Sequence, residues 1–237
     1  FEIGSIRVDG GVRQGDTISP FYDPMIAKLI VWGEDREQAI ALMRQALAET
    51  QAVGVNTNVA FLGRLMNNPA FVAADLDTGL IEKNTEQLLP EHKAAKESTL
   101  ACLLAALLAQ RGQTSPVRHQ SQQSSDPWGY QDSWRVSAHH LEQWQAVDQD
   151  LEYRLQLSRD QDKYRFKVSE QSYDFHWSVQ LEDNVYLCQI ILDGSNHKAT
   201  VIFHDSQAFI FQNGVVTVID LPDELHAAGE EGGHGGG

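Results

Sequence analysis

Apolar and polar positions alternate through much of the second half of the chain. Leu151, Tyr153, Leu155 and Leu157 alternate with Glu152, Arg154 and Gln156; Tyr164, Phe166 and Val168 with Lys163, Arg165 and Lys167; Tyr173, Phe175, Trp177 and Val179 with Asp174, His176, Ser178 and Gln180. A period of two places one apolar row on one face of a strand. Further strands read over about 185–192, 198–204, 207–212 and 215–221, and Trp134 and Trp144 mark two weaker ones before them. Asn213-Gly214 is a two-residue hairpin turn and Asp193-Gly194 another. Such tight spacing predicts an antiparallel meander.

Ahead of the strands, Leu100-Ala101-Cys102-Leu103-Leu104-Ala105-Ala106-Leu107-Leu108-Ala109 is apolar on every side and made of strong helix formers. Ten residues rising 1.5 Å each span about 15 Å, half of a bilayer core, so this is no membrane span. A helix apolar all round must be surrounded by protein. A helix over about 96–111 and a set of one-faced strands satisfy each other if the sheet curls around the helix. Closure also removes the sheet edges.

The first third reads as mixed α/β. Ile6 and Val8 alternate with polar neighbours, and Asp9-Gly10-Gly11 turns. The run Pro20-Phe21-Tyr22-Asp23-Pro24-Met25-Ile26-Ala27-Lys28-Leu29-Ile30-Val31-Trp32-Gly33 takes a proline-flanked turn into an apolar stretch with one lysine. Short apolar runs bounded by turns read as strands buried on both faces, and a lysine there needs a partner or a route to water. Ile40, Met43 and Leu47 then share a face of a helix over about 35–52, ended by Gly54. Thr57 or Asn58 caps a second helix carrying Phe61, Leu62, Leu65 and Met66, and Asn68-Pro69 starts a short third with proline in the first turn. The chain opens at Phe1 in the middle of this pattern, so its start is expected to lie inside a larger domain. Glu224–Gly237 is glycine-rich and acidic, the composition of a flexible linker.

Charge narrows the function. Eighteen Lys and Arg against 33 Asp and Glu give a net −15, which argues against nucleic acid or an anionic membrane surface as partner. Two cysteines, Cys102 in the helix and Cys188 in a strand, read as buried apolar side chains of a reducing compartment. The nine histidines show no metal-ligand spacing: His139 and His140 are adjacent, and His234 stands in a glycine tract. No Gly-x-Ser-x-Gly or Walker loop occurs.

Pro20–Gly33, together with Val53-Gly54-Val55-Asn56-Thr57-Asn58 and Leu76-Asp77-Thr78-Gly79-Leu80-Ile81-Glu82-Lys83, resembles the closing part of the biotin carboxylase domain of biotin-dependent carboxylases. The helix-in-barrel pattern that follows, with Asp126-Pro127-Trp128, resembles the BT domain of acyl-CoA carboxylase α subunits. The second and third segments look most like methylcrotonyl-CoA carboxylase, a ligase of leucine degradation; geranyl-CoA and propionyl-CoA carboxylases are the alternatives. The resemblance implies an α+β chain. Residues 1–90 would be the C-terminal piece of a biotin carboxylase domain, 91–222 an antiparallel β-barrel of about eight strands around a central helix, and 223–237 a linker toward a biotinyl domain. It implies biotin, ATP and Mg as cofactors of the full enzyme, with none expected on this piece. It implies a carboxyltransferase β subunit and other α chains as partners, in the cytoplasm or, in a eukaryote, the mitochondrial matrix. The family's ATP-grasp glycine loop, metal-binding glutamates and catalytic arginine precede the matched region. Its Met-Lys-Met biotinyl motif has no counterpart at Met25, Met43 or Met66. This piece is therefore expected to be inactive alone, with no catalytic residue of its own.

Three residues stand near the chemistry in that resemblance: Tyr22, Asp23 and Lys28, on the wall of the ATP and bicarbonate cleft. Their plainer reading is a turn carboxylate beside a lysine that reaches water. Trp128 and Tyr130 are two aromatics in the Gln/Ser/Pro-rich stretch Gly112–Ser133. They either anchor a partner subunit or fold back to plug one end of the barrel. The basic stripe Arg154, Lys163, Arg165 and Lys167 reads as a solvated outer face. A function of another class also fits the strands: a self-contained barrel holding a small apolar ligand. Residues 100–109 discriminate, because a helix inside the barrel takes the ligand's place.

Overall fold

The computed structural model describes residues 6–18, 25–115, 141–160 and 163–222. The chain divides into two units after His92.

The first unit opens with β1 (Ile6–Gly10) and β2 (Ala27–Val31), an antiparallel pair in the register Ile6 to Val31 and Gly10 to Ala27. Helix α1 (Arg36–Glu49) follows; the Asp35 carboxylate accepts from the Gln38 N–H at 2.8 Å, and Ile40, Ala46 and Leu47 are its buried residues. Helix α2 (Val59–Met66) starts after Asn58, whose side chain makes no capping bond. Asn68 caps α3 (Pro69–Val72) by accepting from the Ala70 and Phe71 N–H groups. Its fully buried amide also donates to Asn84 at 2.9 Å and Gln87 at 2.8 Å, on and beside the short helices α4 (Leu80–Lys83) and α5 (Thr85–Leu88). The free carbonyls at two helix ends are met by arginines: Arg44 donates to Met66 and Arg64 to Leu88.

The expectation that the Ile26–Val31 strand is buried on both faces is corrected. Ala27, Lys28 and Ile30 are exposed, because a sheet of two strands has no layer to cover its second face.

The second unit is built around α6 (Glu97–Gln110). Eight strands close around it: β3 (Leu141–Asp148), β4 (Leu151–Asp160), β5 (Lys163–Val168), β6 (Gln171–Glu182), β7 (Val185–Leu192), β8 (Ser195–His204), β9 (Gln207–Gln212) and β10 (Val215–Asp220). They run as a meander, and β10 returns to β3 through Asp220 opposite Val147. Tight turns set this order. Asp193 with Gly194, Asn213 with Gly214, and Asp183 with Asn184 all have positive φ, the conformation whose twist suits a two-residue hairpin. Thr99–Leu108 are all buried, among Leu155, Phe166, Phe175, Ile190, Val201, Ile210 and Ile219 of the strands. Five leucines of α6 bury about 1.5–3 kcal/mol each, as much together as the usual stability of a whole domain. Trp144 lies within β3, while Trp134 lies outside the described residues.

Candidate functional site

Residues Thr99–Leu108 of α6 occupy the interior of the barrel, and the candidate site lies on its surface. Polar contacts fix α6 at both ends. At its start the Asp148 carboxylate accepts from the Ala95 N–H at 2.8 Å, and the Thr99 hydroxyl donates to Gln212 at 2.9 Å. Just beyond its end the Trp177 indole donates to the Gln113 carbonyl and the Val179 N–H to the Thr114 carbonyl, both at 2.9 Å. The buried helix thus holds one position along the barrel, and the first residues after it are tied to β6.

That second end carries two arginines set on aromatic rings. Arg111 lies 4.9 Å over the Trp144 ring and pairs with Glu142 at 3.4 Å. Arg159 lies 5.4 Å over Tyr164, whose ring meets Trp177 edge-on at 4.9 Å. Arg, Trp and Tyr are the residues that carry binding energy at protein interfaces, and each arginine here is held by a ring face. The sequence reading missed Arg111 and Arg159. A signal for Arg159 exists: it continues the inward parity of Tyr153, Leu155 and Leu157, where an arginine marks a barrel mouth.

Trp128 and Tyr130 lie outside the described residues, as do Tyr22 and Asp23. Lys28 is described: it is exposed on β2, opposite Asp9, which pairs with Arg7 at 3.0 Å. The lysine's route to water is therefore open. No group of His, Cys, Asp and Glu among the described residues could hold a metal. Burial pushes the Cys188 thiol up to about 12, and burial with neighbouring Cys188 pushes Cys102 higher still. Both stay protonated at neutral pH and serve as core. On the outside of the barrel, β3, β4, the end of β5 and Pro222 enclose a polar groove of about 560 Å³.

Comparisons with known proteins divide the chain at a similar place. A family model for the biotin carboxylase C-terminal domain matches residues 2–83. One for the BT domain of the methylcrotonyl-CoA carboxylase α subunit matches residues 98–223. The mitochondrial methylcrotonoyl-CoA carboxylase subunit α of Mus musculus is 30% identical over 98% of this chain and 33% of its own length. That of Dictyostelium discoideum is 29% identical over 96% of this chain and 34% of its own. The biotin carboxylase domain of Hydrogenobacter thermophilus 2-oxoglutarate carboxylase is 33% identical, covering 39% of this chain and 19% of that one with a TM-score of 0.35. The chain spans about a third of the length of the curated relatives it matches.

Proposed function

Because the chain belongs to the biotin-dependent carboxylase family, with the end of a biotin carboxylase domain followed by the BT domain of a methylcrotonyl-CoA carboxylase α subunit, we propose that it is the subunit-assembly part of such an α subunit. In this reading the whole enzyme carboxylates biotin with ATP and bicarbonate. It then passes the carboxyl group to methylcrotonyl-CoA on the β subunit. The observation that carries the assembly role is the filled barrel. α6 occupies the place inside the strands where a ligand would sit, and one end of the unit presents Arg111 on Trp144 and Arg159 on Tyr164. A small-ligand barrel has the opposite design.

Among the described residues no group of His, Cys, Asp and Glu could hold Mg, and Met25, Met43 and Met66 are not followed by lysine as a biotinyl motif requires. No step of biotin carboxylation is assigned to them. Among them no helix is long and apolar enough to cross a membrane, and the Mus musculus and Dictyostelium discoideum relatives are named as mitochondrial. Action in the cytoplasm, or in the matrix of a eukaryote's mitochondria, fits the same reading.

The test uses a complete α subunit carrying this chain. Trp128→Ala with Tyr130→Ala is expected to leave biotin carboxylation intact while co-purification with the β subunit and acyl-CoA carboxylation fall together. Interface anchors of this kind contribute about 2 kcal/mol or more each, so the pair should weaken binding by well over tenfold. Unchanged β-subunit binding with a lowered thermal midpoint would make the two aromatics a barrel plug instead.

A further inference from the structure

The outer face of β4 and β5 gathers cations on a strongly acidic chain. Arg154 and Lys167 line the groove with Gln145, Gln156, Ser169 and Pro222, and Lys163 and Arg165 continue the row along β5. Arg165 pairs with Asp174 at 3.5 Å. Arg154, Lys163 and Lys167 make no ion pair among the described residues. Glu152 and Glu170 also line the groove, but beside the strand turns at one end of it. The cations lie farther along the strands, so the face is polarised.

Pro222 forms part of the groove wall, and the chain continues from it as Asp223 and Glu224, then Glu230 and Glu231, with no Lys or Arg through Gly237. We propose that the acidic segment Asp223–Glu231 docks in this groove, its carboxylates against Arg154 and Lys167. Covalent attachment at the groove's edge gives the segment a high effective concentration there. The contacts are individually weak and screened by salt, so the docked state exchanges with a released one. In the reading given above, docking shortens the tether toward a biotinyl domain, and release lengthens it.

A nitroxide on Ala227→Cys tests this in the full chain. Cys102 and Cys188 are buried, with thiols held protonated, so the label goes to the new site. Paramagnetic broadening should centre on the amides of Gln145, Arg154, Gln156 and Lys167. It should vanish at about 1 M salt, where the screening length is about 3 Å, and in the Arg154→Gln, Lys167→Gln variant. Weak broadening spread over the barrel, broadening centred elsewhere, or a groove signal that survives removal of both cations overturns the proposal. So does broadening seen only when labelled and isotope-enriched chains are mixed, which assigns the groove to a second copy. None of these results touches the assembly reading, which is decided by co-purification with the β subunit.

Discussion

Leu104 has no exposed surface and sits midway along α6. Leu104→Asp should unfold the barrel unit, since an uncompensated buried charge costs about 3–5 kcal/mol, comparable with a domain's whole stability. An unchanged thermal midpoint would sink the helix-filled barrel. Two glycines predict effects of opposite sign. Gly194 has φ +80 with open space around a built Cβ, so Gly194→Ala meets backbone strain alone and should cost about 1–2 kcal/mol. Gly63 lies inside α2 with equally open space and no positive φ, so Gly63→Ala should stabilise by about 0.5–1 kcal/mol. Urea midpoints of the two variants check both signs. Cys188 should resist thiol reagents: with its thiol near 12, about one in ten thousand is thiolate at pH 8. Fast labelling of the folded chain would contradict its burial.

At the scale of elements, the two units differ in how their strands are covered. β6, β7 and β8 each pair on both sides and bury one face on α6, whereas β1 and β2 pair only with each other among the described residues, and Val8 and Ile30 are exposed. Isolated two-stranded hairpins are marginal in water. Amide exchange over Ile26–Trp32 should therefore be much faster than over β6–β8, and equal protection would count against this. The strong elements were legible in the sequence. The expected helix over 96–111 is Glu97–Gln110, and the expected strands over 185–192 and 207–212 have those bounds. The helix expected over 35–52 ends at Glu49, where the Thr50 hydroxyl folds back to the Ala46 carbonyl. Helices α4 and α5 went unseen, for at four residues each they have no period to read. They are held by the Asn68 amide, whose contacts at Asn84 and Gln87 are 16 and 19 residues away.

At the scale of the molecule, the chain by itself is expected neither to hydrolyse ATP in the presence of biotin and bicarbonate nor to accept biotin from a biotin ligase. Biotin-dependent ATPase above the blank, or biotin on the chain by mass spectrometry, would reverse the division of labour proposed here. The candidate site was less legible than the fold. Trp128 and Tyr130 stood out as aromatics in a polar stretch, and they lie outside the described residues. Arg111 went unremarked because it gains meaning from a ring distant in sequence, Trp144, 33 residues beyond it; Arg159 meets Tyr164, only five residues on, across the β4–β5 pairing, and its inward parity was the signal for it.

Local chemistry repeated along the chain is what the sequence determined alone: an apolar helix that demands cover, strands with one apolar face, and turn residues that accept positive φ. Those features make a meander curled around a helix the arrangement that covers the helix and the inward apolar rows of the strands together. Tertiary structure decided what depends on distance in space. It closed β10 on β3 through Asp220 and Val147, fixed α6 along the barrel through Asp148, Gln212, Gln113 and Thr114, and left Lys28 facing water. The reason is physical: periodicity reports which face of an element is apolar, but not how many neighbours will cover it.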